Sequence, residues 1–363
     1  MNKMKTKLII TLIAVALVVM GGSCQSDKDY EPVPTSPVVI DLTAVPYPKL
    51  SDYKFFEGPM KDLTPSIGVL AFKPASELFS DMAIKKRFIW MPSGTKASYD
   101  GDGNALIMPV GSALINNFYY ENVQPDNVIR IIETRLMIRK ATGWIFAEYV
   151  WNEQQTEAFL QTEGSETAVS WIDEANNLQS IIYKIPSAST DCLRCHGLLT
   201  GEINPIGLKP QNLNHDLTYP EGAKNQLDKL IEYGYLENNL PANIVSVVDY
   251  KDASHPVNDR VRSYFDSNCA HCHRTGGEGD HFELKLSFNE TTINSHMGVG
   301  VQAEHWLPGY NGRIVTPGNV SQSILHYRIN TETDNFYMMP PLGRTIRDDA
   351  AVGLVEQWIN SLQ

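Results

Sequence analysis

Two short segments constrain this chain more than any other feature: DCLRCHG at 191–197 and CAHCH at 269–273. Each places two cysteines two residues apart, with a histidine directly behind the second. Four of the five cysteines are spent in this way. Three chemistries share parts of the pattern. Structural zinc pairs two CxxC knuckles about 15–20 residues apart, or adds a closely spaced pair of histidines. Here 73 residues separate Cys195 from Cys269, and no such histidine pair accompanies either one. A redox dithiol expects a βαβ setting and makes no use of the trailing histidine. Covalent haem uses every residue: the two thiols form thioethers and the adjacent imidazole becomes the proximal iron ligand. The spacing therefore predicts two haem c groups. One sits on Cys192 and Cys195 with His196 proximal, the other on Cys269 and Cys272 with His273 proximal.

The N-terminus points to a matching compartment. Residues 1–7, MNKMKTK, carry three lysines and no acid, and the apolar run from Leu8 to Met20 is broken only by Thr11. A basic start, this apolar run and the small residues Gly21, Gly22 and Ser23 make the pattern of an export signal over 1–23. The run is short of the roughly 20 apolar residues that a spanning helix needs. Cys24, the fifth cysteine, follows at once. The stretch resembles a bacterial lipobox, although Gly21 stands where an aliphatic residue is usual. That resemblance implies lipidation of Cys24 and a membrane anchor; the alternative is ordinary cleavage beside a free thiol. Residues 24–48 read as a polar, proline-containing tether. Loss of the leader removes three lysines and takes the net charge from −12 to −15. With no basic run beyond the leader, nucleic acid is excluded as a partner class. An acidic surface suits a cationic protein partner.

The two motifs sit in different surroundings. RIIETRLMIRK alternates Ile132, Thr134, Leu136 and Ile138 with Glu133, Arg135, Met137 and Arg139, and WIFAEYVW follows the turn residues KATG. That is a β-hairpin. NALIMPVGSALINNFYY and LQSIIYKIP are also strand-like, so residues 49–197 read as a β-rich domain ending in the first haem site. Residues 198–257 read as a turn-rich linker, with a short amphipathic helix in GAKNQLDKLIEYGYL that Gly234 ends. In 258–363, Val261, Tyr264, Phe265 and Asn268 fall at helical spacing just before CAHCH. Ala351, Leu354, Val355, Trp358, Ile359 and Leu362 form one apolar stripe headed by Asp348 and Asp349. No repeat of solenoid length is present.

A helix running into CxxCH, a middle of loops and a closing amphipathic helix resemble a class I cytochrome c. The expected fold class is therefore α+β: the β-rich domain, then an all-α cytochrome c-like domain. Between those helices lies FYMMPPLG, which resembles the distal-ligand loop of that class. The resemblance implies Met339 as sixth ligand of the second haem, with Met338 its confusable neighbour. Over about residue 50 to the end, the chain is similar to exported bacterial dihaem c-type cytochromes of no settled reaction. IETRLMIRKATGWIFAEYVWN, IPSASTDCLRCHG, PIGLKPQNLN, RVRSYFDSNCAHCH, TPGNVSQSIL and MMPPLG carry that likeness. One departure is Asn116, where the family pattern leads us to expect lysine. The β-rich part also resembles small β-sheet cytochromes with a five-coordinate haem, some of which cross-link it to lysine and act on small nitrogen species.

The expected function is electron transfer between redox partner proteins, in the periplasm or at the outer membrane. No GxGxxG, P-loop, HExxH or GxSxG sequence offers another chemistry. The alternative is a dihaem oxidoreductase, peroxidase-like or acting on small nitrogen compounds, whose first haem is open. Glu133, Glu148 or His215 would then be its acid/base candidates, with the two glutamates otherwise reading as solvated strand faces or salt-bridge partners. His215 or His255 are candidate distal ligands of the first haem, and Arg313 and Arg328 candidate partners of haem propionates.

Overall fold

The computed structural model describes residues 35–363. The leader, Cys24 and the start of the tether lie outside the described residues. Among those described, no helix is long and apolar enough to cross a membrane.

An antiparallel sheet of eight strands organises the chain. Strands β1 (Phe56–Glu57) and β2 (Thr64–Pro65) make a separate small hairpin ahead of it. The sheet begins with β3 (Leu70–Phe72) and β4 (Ile84–Trp90), continues through β5 (Ala113–Val123), β6 (Val128–Lys140), β7 (Gly143–Trp151) and β8 (Ala158–Gln161), and adds β9 (Ser165–Ile172) and β10 (Leu178–Ile185). Its order is β10-β9-β5-β6-β7-β8, with β4 also on β5 and β3 on β4. The expected hairpin is β6–β7, closed so that Lys140 pairs with Gly143. At that glycine φ is +130°, a conformation that favours a residue without Cβ.

The sequence alternation of β6 describes two buried faces rather than one buried and one wet. Leu136 and Ile138 join Tyr53, Phe88 and Tyr149 in one core. Met137 packs on the opposite face with Trp144, Leu213 and Leu230. A bulge between Phe118 and Tyr119 shifts the register, and Ile132 thereby falls in a third cluster with Tyr120 and Trp171.

Six helices are present among the described residues: α1 (Asp191–His196), α2 (Pro210–Leu213), α3 (Gln226–Glu232), α4 (Val257–Asn268), α5 (Ile324–Asn330) and α6 (Asp349–Ser361). Between α2 and α3 lies the small hairpin of β11 (Asp216–Tyr219) and β12 (Gly222–Asn225). The helix expected before CAHCH is α4, and the closing stripe is α6, capped by the Asp348 side chain on the Ala351 amide. Their apolar faces meet in a core where Phe265 lies edge-on to Trp358 at 5.8 Å.

The expected fold class needs correction. Strand takes 26% of the structure and helix only 19%, so the chain is mainly β and its last third is not an all-α domain. Only α4, α5 and α6 fall there. From Cys269 to Ser323 the backbone runs through turns, 3₁₀ segments and isolated bridges such as Val299↔Val315 and Gln302↔Arg313. The physical reason is composition. TGGEGD, PGYNG and TPGNVS supply glycine and proline at short intervals, which breaks any 3.6-residue period. Two helices with convincing stripes do not make the segment between them helical.

Candidate functional site

The first motif forms α1 itself, at the end of the chain segment leaving β10. Gly197 closes that helix by donating its amide to the Leu193 carbonyl at 2.7 Å. A Cβ on Gly197 would lie 2.5 Å from that same oxygen, so only glycine fits. The His196 ring packs on Phe146 of β7, centroids 5.2 Å apart. Its Nδ1 lies 3.0 Å from the Asn204 carbonyl oxygen. A carbonyl only accepts, so Nδ1 carries the proton and Nε2 keeps its lone pair, as a metal-ligating imidazole requires. Burial lowers the His196 pKa to about 4, which keeps the ring neutral.

Cys192, Cys195 and His196 line a cavity of about 1700 Å³, its open mouth included. Its walls are mainly apolar, with Phe72, Leu78, Phe79 and Ile206 among them. One face of the sheet forms its floor. Arg87, Asn116, Arg135 and Glu148 are successive cross-strand partners on β4, β5, β6 and β7, and all four line the cavity. Arg87 is paired with Glu77 at 2.9 Å. Arg135 stacks on Phe118 at 4.3 Å and donates to Glu133, which also accepts from Tyr183 at 2.6 Å. Glu148 is different. It is 2% exposed and its carboxyl is set against that of Glu133, while the Asn116 Oδ1 is unpartnered. Burial first, and then the neighbouring Glu133 charge, push the Glu148 pKa up to about 9.

The second motif follows α4 and lines a separate cavity of about 860 Å³. Cys269, Cys272, His273 and Met339 all border it, and so does Arg328. Met338 is buried but borders neither cavity. His273 is half-buried and neutral, its pKa lowered to about 4 chiefly by desolvation, yet its Nδ1 lacks the partner that His196 has. Gly279 packs against that ring: an added Cβ would come within 2.9 Å of Nδ1. The Met339 loop is held by Arg344, 7% exposed, whose guanidinium donates to the carbonyls of Met339 (2.9 Å), Thr331 (3.0 Å) and Ile346 (3.3 Å).

The two sites adjoin, which spacing alone does not disclose. Cys195, His271 and Cys272 bring their ligand atoms within 4.8 Å of one another. Arg194 pairs with Glu278 at 3.1 Å, and the Leu199 amide donates to the Gly276 carbonyl at 2.8 Å. His271 and Pro340 border both cavities. The Cys195 thiol donates to Cys272, which lowers the Cys272 pKa and raises that of Cys195. No disulfide joins the four described cysteines.

Other candidates fall away from the cavities. His215 is held between the Lys73 carbonyl and Gln226, and His255 is exposed beside Asp252. Arg313 reaches the Gly300 carbonyl from the surface. Among the acid/base candidates, Glu133 is paired with Arg135 and Tyr183, and Glu148 is buried against Glu133. Sequence reasoning passes over Arg344 and Arg274; the Arg274 Nε and Nη2 are buried without partners on the wall of the first cavity. No protein-family model, curated protein or solved structure matches the chain.

The residues present fit covalent haem. Each cavity has two free thiols and a neutral histidine, and the first adds unsatisfied guanidinium donors suited to a propionate. Gly197→Ala is expected to displace the first motif by forcing Cβ against the Leu193 carbonyl, an overpacking strain of about 1–3 kcal/mol. If each motif carries a haem, the covalent haem content of purified protein should drop from two towards one per chain. A ratio unchanged at two would show that the turn tolerates the methyl group.

Proposed function

We propose that the chain is an exported c-type cytochrome carrying two covalently attached haems, which passes electrons between redox partner proteins. The observation that carries this reading is the meeting of Cys195 and Cys272, the second cysteine of each motif, within 4.8 Å. Groups attached at those two sulfurs would lie close together, and a close pair of redox centres is what electron passage through a protein needs. Haem supplies the one-electron chemistry when bound; the chain supplies attachment, orientation and exclusion of water. His196 is held by Asn204 through Nδ1, and Met339 is presented by the loop that Arg344 grips. The apolar walls favour a higher potential, as does methionine ligation at the second site. Export by residues 1–23 and anchoring through a lipid on Cys24 belong to the same proposal.

A competing use of the same atoms is zinc. Cys195, His271 and Cys272 supply three ligands of suitable type. That reading leaves Cys192, Cys269, His196, His273 and Met339 without a task, whereas two haems employ all of them. The test is composition. Chain purified from a periplasmic expression host with haem-attachment machinery should carry two covalent haems by mass and by pyridine haemochrome absorbance, with two one-electron steps in a potentiometric titration. Stoichiometric zinc with no covalent haem would overturn the reading.

A further inference from the structure

One wall of the first cavity comes from the second motif and the helix before it. Asp266, Ser267, Ala270, His271 and Arg274 all border it, whereas Cys192, Cys195 and His196 do not border the second cavity. Arg274 stands directly behind His273 in the chain, yet it borders only the cavity of His196. Five cations line that cavity: Lys85, Arg87, Arg135, Lys209 and Arg274. Arg87 is paired with Glu77, Arg135 with Glu133 and Lys209 with Asp266. The Lys85 ammonium donates to backbone carbonyls, the nearer being that of Leu78 at 2.7 Å, and it makes no salt bridge among the described residues. Arg274 is more extreme, since its Nε and Nη2 are buried and neither has a hydrogen-bond partner. A guanidinium only donates and stays charged, so these atoms call for an acceptor that the described residues do not supply, and best for an anion.

We propose that Arg274 holds a carboxylate of the haem attached at the first motif, so that the second motif supplies an anion clamp to the first site. Arg274 is then a positioning residue, not an iron ligand. Shape and charge select the class. The planar fork of a guanidinium matches a carboxylate through two parallel hydrogen bonds. Haem c carries two propionate side chains, and two of the five cations, Lys85 and Arg274, lack a carboxylate partner. A group fixed to Cys192, Cys195 and His196 shares its cavity with Arg274, so no diffusible anion is needed. Sequence reasoning names Arg313 and Arg328 for this task, but Arg313 lies at the surface and Arg328 borders only the second cavity. The consequence is electrostatic. A cation beside a propionate offsets its negative charge, which disfavours the added positive charge of ferric iron and raises the potential of the first haem. This inference rests on the dihaem reading and deepens it, because one short segment then tunes both centres: His273 ligates the second and Arg274 steadies the first.

Holoprotein with two haems by mass is prepared as wild type, Arg274→Gln and Arg274→Lys, and each haem is titrated separately by proton magnetic resonance. Shifted haem resonances in contact with Phe146, which packs on His196, mark the first haem, and those in contact with Phe282, beside His273, mark the second. Arg274→Gln should move the oxidation equilibrium of the first haem about tenfold towards the ferric form, which is about 59 mV for one electron. The second haem should move less. Arg274→Lys keeps the charge without the fork and should recover part of the shift. Position along the chain alone predicts the reverse, since Arg274 is the immediate neighbour of the second haem's ligand. An equal or larger shift at the second haem, or no shift at the first, would overturn the inference and show that ordered water satisfies Arg274. If the glutamine variant does not fold, Arg274→Lys decides by the same comparison, with a smaller shift expected. A wild type without covalent haem fails the dihaem reading itself, whereas two haems whose midpoints ignore Arg274 fail this inference alone.

Discussion

Asp266→Ala is expected to destabilise the protein by about 3–5 kcal/mol, the range for removing one partner of a buried charge pair. Asp266 lies on α4, three residues before Cys269, and is 3% exposed. Its carboxylate accepts from the Lys209 ammonium at 2.8 Å, the Phe288 amide at 3.0 Å, Gln211 at 3.3 Å and Asn212 at 3.4 Å. Lys209, Gln211 and Asn212 come from the turn around α2 and border or adjoin the first cavity, while Asp266 heads into the second motif. One buried carboxylate therefore ties the two sites together. Removing it strands an ammonium that is only 12% exposed, along with the other donors. Asp266→Asn keeps shape and some acceptor capacity, so its loss should be smaller. Urea unfolding monitored by far-ultraviolet circular dichroism measures both. A loss under 1 kcal/mol for alanine would show that water replaces the carboxylate, and that the contact is not what holds α4 to the α2 turn.

Local elements were legible in the sequence because their signals are local. The β6–β7 hairpin, α4 and α6 each carry a periodicity that one face of one element dictates. What joins them was not legible. Arg194 and Cys272 are 78 positions apart, and nothing within either motif encodes that they meet. The contact follows from α4 docking through Ser267 on Ser76 and Asn268 on the Phe79 amide. Spacing argued against zinc for the same reason that it concealed the Cys195–His271–Cys272 cluster: distance along the chain says little about distance in space. Glu133 and Glu148 illustrate a second limit. Alternating charges on a strand read as a wet face, yet a face turned to the floor of a buried cavity has the same alternation. Only the arrangement of partners separates the two glutamates, one paired with Arg135 and Tyr183, the other buried against Glu133 itself. The fold class was misread at the loops, where two helices and a loop of familiar form suggested helical surroundings that glycine and proline forbid.

On the proposed dihaem reading, Met339→Ala is expected to abolish the methionine–iron charge-transfer band of the oxidised protein. It should also lower one of the two reduction potentials by roughly 0.1–0.3 V, a modest part of the ~0.8 V that axial ligands command. The reasoning is positional. Met339 borders the cavity of Cys269, Cys272 and His273, while Met338 borders neither cavity, so Met338→Ala should leave band and potential unchanged. Arg344 sharpens the test, because it touches the Met339 backbone and borders neither cavity. Its guanidinium holds four carbonyls around the loop, and Arg344→Ala frees the loop while retaining the sulfur. The band should then persist at low temperature and fade on warming well below the unfolding midpoint, as the thioether leaves a loop no longer clamped. Lysine cannot reproduce a planar fork of donors, so Arg344→Lys should fade similarly. A band that survives Met339→Ala would mean that a different methionine supplies it, whereas if the oxidised wild type shows no such band, His305 on the same cavity wall becomes the sixth ligand to examine. A high potential at that site would then have to come from apolar burial alone.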